Sequence, residues 1–193
     1  MDARDAHETL SEVKTDRGTR YIALLIAILG ALIAIVEVAA GSAEQNATKS
    51  NIDGANLWAF FQAKTIRQSN LRALVEYAEL ELPELSPERA ERARQQVTTW
   101  RATIDRLESE PPTQEGRKEL IVRAKATERE RDTSLAAGNM FDFASASFQL
   151  GIVLASAGVV ISTPWLAWVA GGVGFVGLGF ALLGWLAPTL IAL

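Results

Sequence analysis

The chain has 193 residues and a formal net charge of −4, and it contains no cysteine. Disulfides and thiolate metal sites are therefore excluded, and the one histidine, His7, cannot build a histidine metal centre or a catalytic triad within one chain. Acids and bases are interleaved along the middle of the sequence and form no one-signed basic surface, so nucleic acid is not an expected partner. We expect the chain to bind no metal and no cofactor.

Three apolar segments are long enough to cross a membrane. Residues 22–40 span roughly 28 Å as a helix, close to the thickness of a hydrocarbon core of about 30 Å. A cleaved signal peptide is the alternative for this segment, but the apolar run exceeds the usual signal core of about 7 to 15 residues. Residues 143–162 and 165–187 are the second and third segments, and Thr163 and Pro164 between them allow only a tight helical hairpin.

The sequence thus predicts an all-α membrane protein with three transmembrane helices and a helical, coiled-coil-like extramembrane domain between spans 1 and 2. Tyr21, Phe141 and Trp165 lie near the ends of the spans, where aromatic rings prefer the headgroup layer. The predicted parts are a charged tail at residues 1–20, transmembrane helices at residues 21–41, 141–163 and 164–188, a stalk domain at residues 42–140 and a C-terminal tail at residues 189–193.

Small residues recur at steps of three and four on each predicted span. In lipid, such stripes let helix backbones approach closely, which favours helix association. The stripe of the third span comprises Ala167, Ala170, Gly174, Gly177, Ala181 and Gly184. The second span offers Ser147, Gly151, Ala155 and Gly158, and the first offers Ala23, Ala27, Gly30 and Ala34. These stripes either join the three helices of one subunit or form the seam of a homo-oligomer.

Glu37 is the ionisable residue within the apolar segments, one turn from the end of the first. A charge inside a membrane is costly and therefore indicates a function, such as an ion path or a hydrogen bond between subunits. A carboxylate this close to the end of a span can instead reach interfacial water, and its position favours that interpretation.

Basic residues predict which side of the membrane each part faces. Lys14, Arg17 and Arg20 precede the first span, whereas the next base, Lys49, lies well past its exit. Because bases concentrate on the cytoplasmic side, the N-terminus is predicted to be cytoplasmic and the central domain periplasmic.

The central domain is predicted to hold three helices. Ser42 and Gln45 match a capping box, and residues 51–54 indicate a break before a helix over residues 55–82 that ends at Pro83.

The second and third helices follow from proline and cap signals. Ser86 and the next residue, a proline, favour the start of a second helix over residues 87–110. Thr113 caps a third, which runs into the second span unless Gly138 interrupts it. The second helix carries an apolar coiled-coil stripe of Ala90, Ala93, Val97, Trp100, Ile104 and Leu107.

Equal lengths suggest how these helices are arranged. A chain that leaves a membrane and returns to it needs an even number of vertical passes, and three helices are an odd number. Residues 55–82 and 113–140 match in length, so they are predicted to form the stalk. The middle helix would lie across it, pack obliquely or dock on a neighbouring subunit.

Residues 57–67, which read LWAFFQAKTIR, resemble a bacterial family catalogued as domain of unknown function 4337. Further likeness lies in residues 129–132, 141–142 and 148–156. The resemblance implies a bacterial inner (cytoplasmic) membrane location and supplies no activity. Within residues 57–67, Trp58, Phe61, Gln62, Lys64 and Arg67 suggest either a surface for a partner or lipid headgroups, or helix packing beside the membrane.

The leading functional hypothesis is a non-enzymatic, self-associating scaffold or accessory subunit of a membrane complex. Its partners would be the lipid bilayer and further copies of itself or other membrane subunits. The alternative is a small channel or transporter component, suggested by Glu37, Gln149 and the glycine-rich third span. An enzyme is the least expected class, because the sequence has no phosphate loop, nucleophile elbow or metal-ligand pattern.

Overall fold

Four α-helices and a short 3₁₀ helix are present in the computed structural model, which describes residues 3–161, 163 and 165–190, with side chains from Gly18 onward. Their bounds are Ala3–Glu81 for α1, Leu82–Glu84 for the 3₁₀ helix, Pro87–Glu108 for α2, Arg117–Val160 for α3 and Trp165–Leu186 for α4. These residues contain no strand, so the predicted all-α class is confirmed for them. The side chains of His7, Lys14 and Arg17 lie outside the described part, as does Pro164.

Three of these helices, α1, α3 and α4, are long and apolar enough to span a membrane. In α1 the apolar stretch lies near the N-terminus, in α3 it follows a charged half, and α4 is apolar throughout. The prediction of three helices of this kind is therefore confirmed.

α1 continues through residues 42–54, so the predicted capping box at Ser42 and the predicted break at residues 51–54 are wrong. The Ser42 hydroxyl donates a hydrogen bond of 2.9 Å to the carbonyl oxygen of Val38, as serines within helices often do. Gly54 is buried, and a Cβ atom at this position would lie 3.9 Å from Thr127 Cγ2. The glycine therefore lies at a helix contact and not in a turn.

The ends of the other helices follow the sequence signals in part. Pro83 lies in the 3₁₀ helix that ends α1, and Ser86 precedes α2 with an extended backbone, both as predicted. Thr113 does not start the third helix, because the chain first turns through Gln114, whose φ of 58° is not helical. α3 then passes through Gly138 without interruption.

The chain divides into two compact units. Unit 1 comprises Met1–Ala47 and Asp132–Leu193, and unit 2 comprises Thr48–Arg131. Both α1 and α3 contribute residues to each unit, whereas α2 belongs to unit 2 and α4 to unit 1.

Unit 1 is held together by an apolar core. Side chains from α1, α3 and α4 meet there, and they include both aliphatic and aromatic residues. The buried members are Leu29, Val36, Ala43, Phe141, Ala144, Phe148 and Ala181.

In unit 2, α2 and α3 follow one another along α1. Hydrogen bonds join α2 to the C-terminal end of α1, at Gln68 with Ile104 and at Glu79 with Arg101. Others join α3 to the part of α1 that precedes this end, at Trp58 with Glu128 and at Thr65 with Arg117. Both helices thus run antiparallel to α1.

This arrangement corrects the predicted stalk. Residues 113–140 do not pair with the whole of residues 55–82, because α2 occupies the far half of that helix. The apolar stripe of α2 packs within its own unit, where Ala90, Val97 and Leu107 are buried. Length alone could not distinguish two matched helices from one helix paired with two shorter segments.

Candidate functional site

Glycines on α3 and α4 form notches that receive large side chains from neighbouring helices in unit 1. A Cβ atom added at Gly174 would lie 2.7 Å from Leu29 Cδ2, and one at Gly151 would lie 3.0 Å from Leu29 Cδ1. At Gly177 the added atom would lie 2.7 Å from Phe148 Cε1. These distances are below ordinary van der Waals contact, so a larger residue at these positions requires Leu29 or Phe148 to shift.

The predicted stripes of α3 and α4 therefore lie at contacts within one chain. On α4, Ala170, Gly174, Gly177, Ala181 and Gly184 are buried, and Ala167 is half-buried. On α3, Gly151, Ala155 and Gly158 are buried, and Ser147 is half-buried. Their part in an oligomer stays a prediction.

The small residues of the first span have the opposite placement. Ala23, Ala27, Gly30 and Ala34 are exposed, and a Cβ atom at Gly30 would meet nothing within 4 Å. Leu29 and Val36 take the inward face of this part of α1 instead. Glu37 is also exposed, so it does not point into the core of unit 1.

A cluster of polar side chains lies where α1, α2 and the start of α3 meet in unit 2. We call Thr65, Gln68, Glu108 and Arg117 the polar clamp. Arg117 Nη1 donates to Gln68 Oε1 at 2.7 Å and to Glu108 Oε2 at 2.6 Å, and Arg117 Nε donates to Thr65 Oγ1 at 3.0 Å. The guanidinium also lies 5.0 Å from the centre of the Phe61 ring, a cation–π distance.

Gln68 is the buried centre of the clamp, with 1% of its surface exposed. Its Nε2 donates to Glu108 Oε2 at 3.1 Å and to the carbonyl oxygen of Ile104 at 3.2 Å. The hydrogen bond from Gln68, together with the charge of Arg117, holds the pKa of Glu108 below its usual value of 4.5. Because these groups satisfy one another, the clamp fastens three helices together.

Glu119 stabilises the turn between α2 and α3. Its Oε1 accepts a hydrogen bond of 2.6 Å from Ser109 Oγ, and its Oε2 accepts one of 3.2 Å from the backbone nitrogen of Glu110. The hydrogen bond from Ser109 lowers the pKa of Glu119. A Cβ atom at Gly116 would collide with the backbone of the same turn, 2.6 Å from Ser109 Cα, so the close approach requires glycine.

The five residues predicted as a partner or headgroup surface do not share one exposed face. Trp58 Nε1 donates to Glu128 Oε1 at 2.8 Å, and Phe61 lies under Arg117. Lys64 Nζ lies 3.6 Å from a carboxylate oxygen of Glu115, with 13% of its side chain exposed. Their partners lie on α3 or the turn before it. The remaining two residues, Gln62 and Arg67, are exposed.

Sequence reasoning did not identify the polar clamp. A signal was present, because Gln68 continues the inward stripe of α1 that includes Phe61 and Val75. A polar residue on such a stripe needs a partner when it is buried. The sequence does not specify that the partners would be Glu108 and Arg117, which lie on either side of a turn.

A family model described as a domain of unknown function, DUF4337, matches residues 18–187. The resemblance noted in residues 57–67 is therefore confirmed. No curated protein and no solved structure matches the chain.

Proposed function

Since the chain belongs to the DUF4337 family, whose description assigns no activity, we propose that it is a non-enzymatic membrane scaffold or accessory subunit that associates with itself. The proposal places α4 and the apolar parts of α1 and α3 in a bacterial inner membrane, with the N-terminus in the cytoplasm and unit 2 in the periplasm. The basic residues before the first span support this orientation, with Arg20 the last of them.

The observation that carries the proposal is the way in which the polar groups of unit 2 are used. The polar clamp and the Trp58–Glu128 hydrogen bond join helices of the same chain, and Glu119 bonds the turn between two of them. Chemistry or tight ligand binding requires groups aimed at a bound molecule, whereas these groups are aimed at one another. What remains outward on unit 2 is helix surface, which suits contact with other proteins.

A pore within one subunit finds little support in unit 1. Its core consists of aliphatic and aromatic side chains, whereas a permeation path needs polar lining groups. Glu37 and Gln149, which suggested a channel, are both exposed, and Gln149 Nε2 donates to Ser145 Oγ on its own helix. We therefore place the scaffold ahead of the channel.

The test is a mass measurement of the intact chain in native nanodiscs prepared without strong detergent. The proposal predicts a mass that contains two or more copies of the chain, with or without other membrane subunits. A chain that is a lone monomer at native abundance would contradict it.

Orientation is tested separately, because the chain has no natural cysteine. In intact cells with a permeable outer envelope, a Thr98→Cys variant on the exposed side of α2 should react with a maleimide that cannot cross the inner membrane. Labelling only after the inner membrane is broken would place unit 2 in the cytoplasm.

A further inference from the structure

The outward face of α1 in unit 2 carries an uncharged stripe with a seven-residue period. One set of its residues comprises Ile52, Ala59, Ile66, Ala73 and Leu80. A second set, each member four residues after one of the first, comprises Asn56, Ala63, Asn70 and Tyr77. All nine are exposed, and Ile66, Tyr77 and Leu80 have 62%, 64% and 78% of their surfaces exposed. We call these nine residues the outer stripe.

The outer stripe is separate from the face of α1 that packs inside unit 2. The inward face of α1 lies on the opposite side of the helix, where Gly54, Gln68 and Val75 are buried. α2 and α3 therefore cover one face of this helix, and the outer stripe on the opposite face stays exposed.

The exposed sides of α2 and α3 are different in character. On α2 they carry charged residues that pair along the helix, such as Glu88 with Arg92 and Glu91 with Arg94. On α3 they include Lys118 and Lys125, with Val122 as an exposed apolar residue between them. An exposed apolar face on α1 beside charged faces on its neighbours indicates a surface that becomes covered.

Spacing and residue type indicate what covers it. Steps of four and three that repeat every seven residues are the a and d positions of a coiled coil, here sustained over four heptads, roughly 42 Å of helix. Asn56 and Asn70 both fall at a positions. A buried asparagine at an a position pairs with the same residue of an in-register partner helix and favours two parallel strands.

We propose that the outer stripe is the surface through which two copies of this chain associate, as a parallel, in-register coiled coil of their α1 helices. The inference rests on the proposed function, since it names the contact used in self-association. A second copy fits because a two-fold interface places the same stripe on both sides. Two chains inserted in one membrane with the same orientation also present their α1 helices parallel, as this pairing requires. The alanines at both a and d positions allow the two backbones to come close.

The experiment uses single-cysteine variants of the full chain, which has no natural cysteine to interfere. Ala59→Cys and Ala73→Cys place a thiol at d positions of the outer stripe. Ala102→Cys and Ala126→Cys are matched controls, because they replace exposed alanines on α2 and α3. Each variant is oxidised in native membranes with a mild copper catalyst and separated on a non-reducing gel, and the mass of each is measured in nanodiscs.

In a parallel pair, equivalent d positions come within the Cα separation of up to about 7 Å that a disulfide can bridge. The proposal predicts that both stripe variants shift from the monomer to the dimer band and that both controls do not. An oligomeric chain whose stripe variants cross-link no more than the controls would overturn this inference and leave the proposed self-association standing. A wild-type chain that is monomeric in nanodiscs would overturn both.

Discussion

The glycine notch at Gly177 gives a sharp test of how unit 1 is held together. In a Gly177→Ala variant the new methyl group would lie 2.7 and 2.9 Å from Phe148 Cε1 and Cδ1, and 3.1 Å from Ser147 Cβ. Carbon atoms pack best at about 3.5–4.0 Å, so the contact is too close by about 1 Å. Phe148 is fully buried, so its ring has little free space to move into and the packing of α3 on α4 is strained. Overpacking of this kind costs about 1–3 kcal/mol.

Gly179→Ala is the matched control on the same helix. A Cβ atom at Gly179 meets nothing within 4 Å, yet the substitution makes the same change in intrinsic helix preference, about 1 kcal/mol in favour of alanine. That contribution cancels when the two variants are compared. We therefore expect Gly177→Ala to be less stable than Gly179→Ala by the overpacking energy alone, about 1–3 kcal/mol.

The assay is reversible unfolding of the full chain in mixed micelles, in which the fraction of a denaturing detergent is raised and helix content is followed by circular dichroism. The free energies of unfolding of both variants and of the wild type are compared at one reference composition. Equal stability of the two variants would refute the close packing of α3 on α4 through this glycine.

Three further predictions concern unit 2, and each is measured by hydrogen exchange of its amides with mass-spectrometric detection. The pKa of Glu108 is lowered in the folded chain, so its stabilising contribution is present above the usual value of 4.5 and is lost as the pH falls through the lowered value. The protection of α2, taken as the ratio of the intrinsic to the observed exchange rate at each pH, should therefore fall on acidification, and a Glu108→Gln variant should lack this dependence. Gln68→Leu should lower the free energy of opening of α2 by about 1–3 kcal/mol, because it leaves the Arg117 and Glu108 side chains without the central amide. Gln62→Leu, at an exposed position, should have no such effect. Equal protection of α2 in both variants would contradict the role of the clamp. Trp58→Phe should lower the stability of unit 2 by about 1 kcal/mol, because the hydrogen bond to Glu128 is lost. Trp168→Phe is the control, at a residue that is 85% exposed, and should leave exchange in unit 2 unchanged. Faster exchange of unit 2 in that control would mean that the effect of Trp58→Phe is not local.

The number and apolar character of the three long helices could be predicted from sequence because both are properties of continuous segments. The inward face of α4 could also be predicted, since Gly174 and Gly177 lie on a single stripe of small residues in an otherwise bulky helix. The same pattern failed on α1, where Ala27 and Gly30 are exposed and Leu29 faces the core. A stripe of small residues shows where helices can approach, but it does not show which neighbour is there.

The arrangement of unit 2 was beyond the reach of local patterns for a related reason. Residues 51–54 have the composition of a turn, and only the contact with the neighbouring α3 makes Gly54 a packing position. The tandem placement of α2 and α3 depends on Arg117 meeting Gln68 and Glu108, contacts that join residues far apart in sequence. The residues of the candidate surface around Trp58 do not share one face for the same reason. The Trp58 indole donates a hydrogen bond to Glu128, a residue distant in sequence.

Because α2 and α3 are each bonded to α1, the peptide link between them contributes little to their placement. Each helix is bonded to α1 by a side chain of its own, Arg101 on α2 and Glu128 on α3, and residues 111–115 between them are exposed. Exposed turns of this kind are where chains tolerate cleavage and insertion. The molecule can thus be opened at this turn, by a protease or by inserting a reporter domain, without interrupting a helix, which makes it suited to study as two complementing fragments.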